Sequence, residues 1–313
     1  MLVAAYNGER WLRECLDSLV AQDFPAEQRE LWVIDDGSAD GTPQILAEYA
    51  GRGLLHHVRQ ANQGTAGALT SGLRCVTGDV VAIISQDCFA EPHWLRRVAG
   101  AFSDPHVGIV RWAILPAEEI RVPFAHCTHV ERPSKSFDGA SIAFRVAALD
   151  QAGRAYDPYL SRRGDDADLG WRVIEAGWRE AWIPEALTYH AVVPVGFWNA
   201  VRHAPSQFTV PLLVRRHPGL RRHLKLGFLW GGPWQYLRLA ALGLGALSLI
   251  AGLAAAGVVL LAVAYGLYAR ESLARRCSLW HRLLSIPASG LLSEVVSECA
   301  SLAGSIRFRR LVL

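Results

Sequence analysis

A chain of 313 residues, 51% hydrophobic and 19% charged, can form one large α/β domain plus an appendage. Its net charge of +3 is unevenly spread: residues 1 to 200 hold 18 Lys/Arg against 26 Asp/Glu and residues 201 to 313 hold 14 against 3, so balances of −8 and +11 sum to +3. The basic half is also the apolar half, its arginines flanking a long hydrophobic run, which argues against nucleic acid as its partner and for an anionic membrane surface. The acidic half suits a bound cation. The six cysteines (15, 75, 88, 127, 277 and 299) lack paired metal-type spacing and no secretory signal is seen, so reduced thiols facing the cytoplasm are expected.

The first strand falls almost on Met1, with Leu2-Val3-Ala4-Ala5 leading to Tyr6-Asn7, so either this strand is short or the true start lies upstream. A helix over Glu9–Val20 follows, with Trp11, Cys15, Leu16, Leu19 and Val20 at helical spacing. The run Leu31-Trp32-Val33-Ile34 then ends in Asp35-Asp36-Gly37-Ser38-Ala39-Asp40, which predicts a buried strand, a turn on Gly37 and a helix capped by Ser38 or Asp40. Strand-like runs at Leu55–Val58 and Val80–Ile84 alternate with helical stretches at Thr42–Tyr49 and Gly67–Cys75. Such alternation predicts a doubly wound, mostly parallel sheet. Right-handed crossovers bring the Tyr6-Asn7, Asp35-Asp36, Asn62 and Ser85-Gln86-Asp87 loops to one sheet edge, where ligands bind in open α/β folds. Asp35 and Asp36 there could hydrogen-bond a base edge or a ribose hydroxyl. No Gly-x-Gly-x-x-Gly follows the first strand, which disfavours a nicotinamide-binding Rossmann domain.

Farther along lie Phe137-Asp138-Gly139-Ala140-Ser141 with Phe144-Arg145, the cluster Gly164-Asp165-Asp166-Ala167-Asp168-Leu169-Gly170-Trp171-Arg172, and Ile183-Pro184-Glu185 followed by Tyr189-His190. Two neighbouring carboxylates tend to raise one pKa, which suits a general base at neutral pH, while an acidic first helical turn also complements the macrodipole. His126, Cys127 and His129 are read as a variable stretch and not a metal cluster. From Leu239 to Ala269 no residue carries a formal charge. A membrane span needs about 20 residues, so this run suffices for one tilted helix and is short for two, though its glycines would permit a shallow hairpin. The segment Leu279 to Ile306, with Arg282, Glu294 and Glu298 among apolar residues, reads as an amphipathic interfacial helix or a weak span.

In this order and spacing, the segments between residues 1 and 195 resemble the family 2 inverting glycosyltransferases of the GT-A fold. The resemblance implies a nucleotide-sugar site formed by Ala5, Tyr6, Asn7, Glu9, Asp36, Asn62, Gly64, Ser85 and Gln86, with Asp36 on the base. The family usually carries Asp-x-Asp after the strand at Val80–Ile84, and here the triplet is Ser85-Gln86-Asp87. Asp87 matches the metal-coordinating aspartate, and His190 matches a histidine that completes a site for Mn or Mg. Asp166 matches the family's general base, with Asp165 orienting it or the acceptor. Leu69 and Thr70 stand where the family often has Arg or Lys and Asn, so phosphate contact from that helix is not expected.

The expectation is therefore a GT-A domain over residues 1–200, a basic amphipathic linker over 201–236 and hydrophobic membrane-associated helices over 237–313. Such an enzyme would sit at the cell membrane with its catalytic domain in the cytoplasm. It would move a sugar from a nucleotide-sugar to a lipid-linked or cell-surface glycan. An inactive nucleotide-sugar-binding scaffold is the alternative, resting on Ser85 and the short first strand. A processive polysaccharide synthase is a second alternative, disfavoured because no Gln-x-x-Arg-Trp follows the acidic pair.

Overall fold

The computed structural model describes residues 1–122, 124–134, 137, 140–161, 163–224, 226, 233–273 and 286–312. Asp138, Gly139, Arg275, Arg276, Cys277 and Arg282, as well as residues 279–285 of the expected interfacial segment, lie outside the described residues. The chain forms two compact units, one of residues 1–118 and 127–192, the other of residues 119–126 and 193–313.

In chain order the first unit comprises β1 (Leu2–Ala5), α1 (Leu12–Val20), β2 (Trp32–Asp35), α2 (Thr42–Gly51), β3 (His56–Arg59), α3 (Gly64–Cys75), β4 (Val80–Ile84), β5 (Cys88–Ala90), α4 (Trp94–Ala101) and β6 (Val107–Pro116). The short strand β7 (Ala125–His126) belongs to the second unit. The first unit then continues with β8 (Ser141–Arg145), α5 (Val146–Ala152), α6 (Asp165–Glu175) and β9 (Arg179–His190). The second unit adds β10 (Val193–Pro194), α7 (Phe197–His203), α8 (Val210–Arg216), α9 (Pro233–Ile250), α10 (Ala254–Leu273) and α11 (Ile286–Phe308).

One eight-stranded sheet runs in the order β3-β2-β1-β4-β8-β6-β9-β5. The β3-β2-β1-β4 half is parallel, as the β/α alternation predicts. The other half is mixed: β8 runs antiparallel to both β4 and β6, β6 and β9 are parallel, and β5 returns antiparallel to β9. The expectation of a mostly parallel doubly wound sheet therefore gives way to a mixed GT-A-like sheet. No regular βα rhythm marks the sequence beyond β4, so alternation had no signal to offer there.

The core follows from the apolar spacing. Leu12, Leu16 and Leu19 of α1 lie buried with Val3 and Ala5 of β1 and Val33 of β2. Across the mixed half, Trp94 and Trp112 meet edge-on at 5.3 Å, and the Trp112 indole donates to the Thr188 hydroxyl at 3.2 Å. Such an aromatic pair adds rigidity beyond its buried area. That rigidity matters because β9 leads directly to His190.

The expectation of a membrane-spanning helix needs correction. Among the described residues no helix is long and apolar enough to cross a membrane. The uncharged run folds as two helices, α9 and α10, broken at Ala251-Gly252-Leu253 with Gly252 at φ +80°. The expected transmembrane segment is thus unsupported. The expected linker, residues 201–236, is not a plain linker: α7, which begins at Phe197, runs into it, and α8 and two 3-10 turns lie inside it. The second unit is further tied by the Arg238–Glu294 ion pair between α9 and α11.

Candidate active site

The register of β1 on β2 pairs Ala5 with Asp35, so Asp36 is the first residue past the parallel edge. Its backbone N–H donates to the Ala5 carbonyl at 2.8 Å. The Asp36 carboxylate is buried and fully engaged. Oδ1 accepts from Gln60 Nε2 at 2.7 Å and from the Gln63 N–H at 2.9 Å, while Oδ2 accepts from the Gly64 N–H at 2.8 Å. Asn62 donates its amide to the Asp36 carbonyl at 3.0 Å. Asp36 therefore clamps the loop from β3 to α3, bringing Asn62 and Gly64 beside it. Asp35 accepts from the Ser38 N–H at 2.9 Å, and its second oxygen lies 3.5 Å from Arg59 Nε.

The β1–α1 loop is knitted to the same edge. Asn7, at φ +47°, receives the Ala39 N–H on Oδ1 at 2.8 Å and donates its own N–H to Ser38 Oγ at 3.0 Å. Glu9 accepts from the Gly41 N–H at 2.9 Å. Gln86 forms a two-point clamp on the Tyr6 backbone, accepting from its N–H at 2.9 Å and donating to its carbonyl at 3.1 Å. Ser85 donates its N–H to the Ala140 carbonyl at 2.8 Å. Ala5, Tyr6, Asn7, Glu9, Asp36, Asn62, Gly64, Ser85 and Gln86 are thus brought to one sheet edge, with Tyr6 the exposed aromatic among them. Several of the polar side chains spend their hydrogen bonds on the chain itself.

Asp87 and His190 meet because β5 pairs antiparallel with β9, placing Cys88 opposite His190. His190 is buried, with Nδ1 2.8 Å from the Ala191 carbonyl and Nε2 3.7 Å from Asp87 Oδ1. A carbonyl can only accept, so we assign the ring proton to Nδ1, which turns the Nε2 lone pair toward the carboxylate. Two acceptors facing at that distance fit a divalent cation between them, and a carbonyl fixing the far nitrogen is a usual support for a ligating histidine. The candidate ligand atoms of Asp87, Cys88 and His190 all lie within 4.8 Å of one another. Burial, reinforced by the charge of Asp87, pushes the Cys88 thiol well above its ordinary pKa. A hard cation such as Mn or Mg would draw on Asp87 and His190. Cys88 escaped the sequence reading because nothing in its spacing marks it, and the strand pairing supplies the contact. Cys127, from the stretch set aside as variable, lies beside this site, its Sγ 3.7 Å from the His190 carbonyl.

The third cluster opens α6. Gly164, at φ +103°, turns the chain so that Asp165 and Asp166 begin the helix. Asp165 is buried and accepts from the Asp166 N–H at 3.1 Å. Burial, with Asp168 and Asp157 nearby, pushes its carboxyl up to about 6. Asp166 is half-buried. Asp168 has a scaffold role: it accepts from Arg172 Nε at 2.9 Å, and Arg172 also donates to the carbonyls of Ala152, Gly153 and Ala155. The Tyr156 hydroxyl, missed in the sequence, is buried without a hydrogen-bond partner, and burial followed by the charges of Asp166 and Asp165 pushes its pKa well up.

An edge of strand-end loops, an aspartate–histidine pair and a separate acid pair lie on a mixed α/β sheet of GT-A-like fold. Among solved structures, the mannosyltransferase PcManGT from Pyrobaculum calidifontis in complex with GDP-Man and Mn2+ matches with a TM-score of 0.58 at 21% identity, over 98% of this chain and 86% of that one. TarS 1-349 from S. aureus in complex with UDP-GlcNAc matches with a TM-score of 0.54 at 15% identity, over 99% and 91%. Residues 1–149 match the family described as "Glycosyl transferase family 2". Beta-monoglucosyldiacylglycerol synthase from Trichormus variabilis is 36% identical over 219 residues, covering 64% of this chain and 45% of the relative. Pre-mycofactocin glycosyltransferase from Mycobacterium tuberculosis is 31% identical over 209 residues, covering 59% and 42%. The chain thus spans less than half the length of these curated relatives.

Proposed function

We propose that this chain is an inverting glycosyltransferase that moves a sugar from a nucleotide-sugar donor to a lipid-linked or cell-surface glycan acceptor. The observation that carries the reading is the facing of His190 Nε2 and Asp87 Oδ1 at 3.7 Å on the sheet that also bears the Asp36 edge. A divalent cation held there would neutralise the charge that builds on a diphosphate leaving group. The Mn2+ bound to the mannosyltransferase of the same fold and the glycolipid product named for a relative support the metal and the acceptor class.

In this mechanism the loops at the edge seat the nucleotide, with Asp36 shaping the loop that meets the base. The Asp166 carboxylate takes the proton from the acceptor hydroxyl as that oxygen attacks the anomeric carbon. The carbon–oxygen bond to the diphosphate breaks in the same step, so the configuration inverts and no covalent enzyme intermediate forms. Asp165 holds the Asp166 backbone in place through its 3.1 Å contact. We place the reaction at the cytoplasmic face of the cell membrane, where such acceptors present their hydroxyls.

The test is a thermal-shift panel of the purified chain with UDP, GDP, dTDP and their sugar conjugates, each with and without manganese. A ligand that binds only the native state stabilises it by about 2.7 kcal/mol at a hundredfold excess over its Kd. A metal-dependent shift for one nucleotide, lost in Asp87→Ala, is the expected result. Folded protein that shifts with no donor overturns the transferase reading.

A further inference from the structure

We infer that the α9–α10 hairpin is a one-leaflet membrane anchor, its tip buried in the acyl chains and both of its ends returning to the same surface. From residue 239 to residue 269 the chain carries no formal charge. The two helices pack directly on each other where Gly245 and Gly257 cross. A Cβ on either glycine would stand 3.2 Å or 3.0 Å from the other's carbonyl oxygen, so any larger side chain would push the helices apart. Helix pairs held by small residues in this way are a recurring device in lipid, where packing and not apolar burial holds helices together.

Close packing through glycines turns the large aliphatic side chains outward. Leu244, Leu247, Ile250, Leu253, Val258 and Val259 are all exposed, Ile250 to 84%. Around the tip every residue from 249 to 256 is exposed, so the apolar surface faces all directions and not one side. A helix apolar all round is either buried in a protein core or immersed in lipid. A protein partner, including a second copy of this chain, covers one face of a hairpin. A bilayer surrounds it.

Length selects a single leaflet. The uncharged parts of α9, residues 239 to 250, and of α10, residues 254 to 269, rise about 18 Å and about 24 Å at 1.5 Å per residue, each short of a full hydrocarbon core of about 30 Å. Half of a hydrocarbon core of about 30 Å is about 15 Å. The break at Gly252 then returns the chain instead of carrying it across. Charge fits the same placement: residues 201–313 carry 14 Lys/Arg against 3 Asp/Glu, and the tip holds none of them. The basic part of the unit suits the anionic headgroups while the tip enters the chains. This placement is independent of whether the first unit transfers sugar.

The experiment is flotation of the full chain with phosphatidylcholine vesicles and with vesicles containing phosphatidylglycerol, at low and at 1 M salt. The intact chain is expected to float with both, more strongly with the anionic lipid, and to stay bound in 1 M salt. The double variant Ile250→Glu, Leu253→Glu changes two exposed side chains and should lose at least tenfold of the bound fraction, with an unchanged far-UV spectrum. Flotation that salt abolishes, or that the double variant retains, overturns the anchor. Loss of self-association without loss of flotation in that variant would assign the hairpin to a second copy instead. A Ser248→Cys thiol labelled by an impermeant maleimide from the far side of sealed vesicles, above the parent chain, would overturn the one-leaflet depth in favour of a span.

Discussion

The first unit carries two Asp-Asp pairs, and they are used in opposite ways. Asp35-Asp36 closes a buried parallel strand, where backbone N–H groups and the Gln60 amide converge on Asp36 from three directions. Asp165-Asp166 opens a helix, where burial pushes Asp165 up to about 6 and Asp166 is left half-buried. The first pair shapes a loop. In the second, burial pushes one carboxyl up. Identical dipeptides diverge because a strand end collects donors from neighbouring loops, whereas the first turn of a helix here offers Asp165 the Asp166 N–H and two acidic neighbours, Asp166 and Asp168.

The largest effect expected from this contrast is on rate. Asp166→Asn should lower kcat by 10²- to 10⁴-fold, the usual worth of a general base, while leaving Tm and donor affinity close to the parent. Single-turnover kinetics with a titration of the donor nucleotide checks both halves. Undiminished kcat removes Asp166 as base. Asp36→Ala should act the other way. It removes the acceptor of the Gln60 amide and of the Gln63 and Gly64 N–H groups, three hydrogen bonds worth about 1 kcal/mol each, so about 3 kcal/mol in folding free energy. Urea unfolding measures it, and a variant as stable as the parent would show that the clamp does not hold the loop. Asp87→Ala and His190→Ala should each lose the manganese-dependent part of the nucleotide thermal shift. A shift that survives in both would move the cation elsewhere.

Much of this contrast was readable in the sequence, and the unread part has a physical reason. The run Leu31–Ile34 ending in Asp35-Asp36-Gly37 announces a buried strand and its turn, because apolar continuity and turn chemistry are local signals. Asp87 and His190 were paired through the family resemblance, but Cys88 between them was not, since β5 on β9 is a contact between residues some hundred positions apart. For the same reason the parallel half of the sheet was legible and the antiparallel β8 was not. Gln60 and Gln63 looked like ordinary loop residues, and their role exists only once Asp36 is beside them. The uncharged run was seen for what it is chemically. Its glycines were seen to permit a shallow hairpin, but which of them makes the break was not legible, because glycine is tolerated inside membrane helices and so does not by itself mark a turn.

The smallest and most discriminating effect concerns Asp165. Its carboxyl sits at about 6 in the fold against 3.8 when unperturbed, so the fold disfavours the charged form. A raised folded pKa means that the native state binds more protons than the unfolded chain between those two values. Stability is then fully present below about pH 4 and is lost as the pH rises through 6, with nothing further lost above it. Asp165→Asn removes the charge and keeps an oxygen to receive the Asp166 N–H. It should therefore stabilise the protein by about 3 kcal/mol at pH 7.5 and by only about 0.5 kcal/mol at pH 4. Urea unfolding at the two pH values reads the difference directly, without reference to turnover. An equal effect at both would mean that Asp165 ionises as freely as an exposed carboxylate, and the two acid pairs would then differ in hydrogen bonding alone.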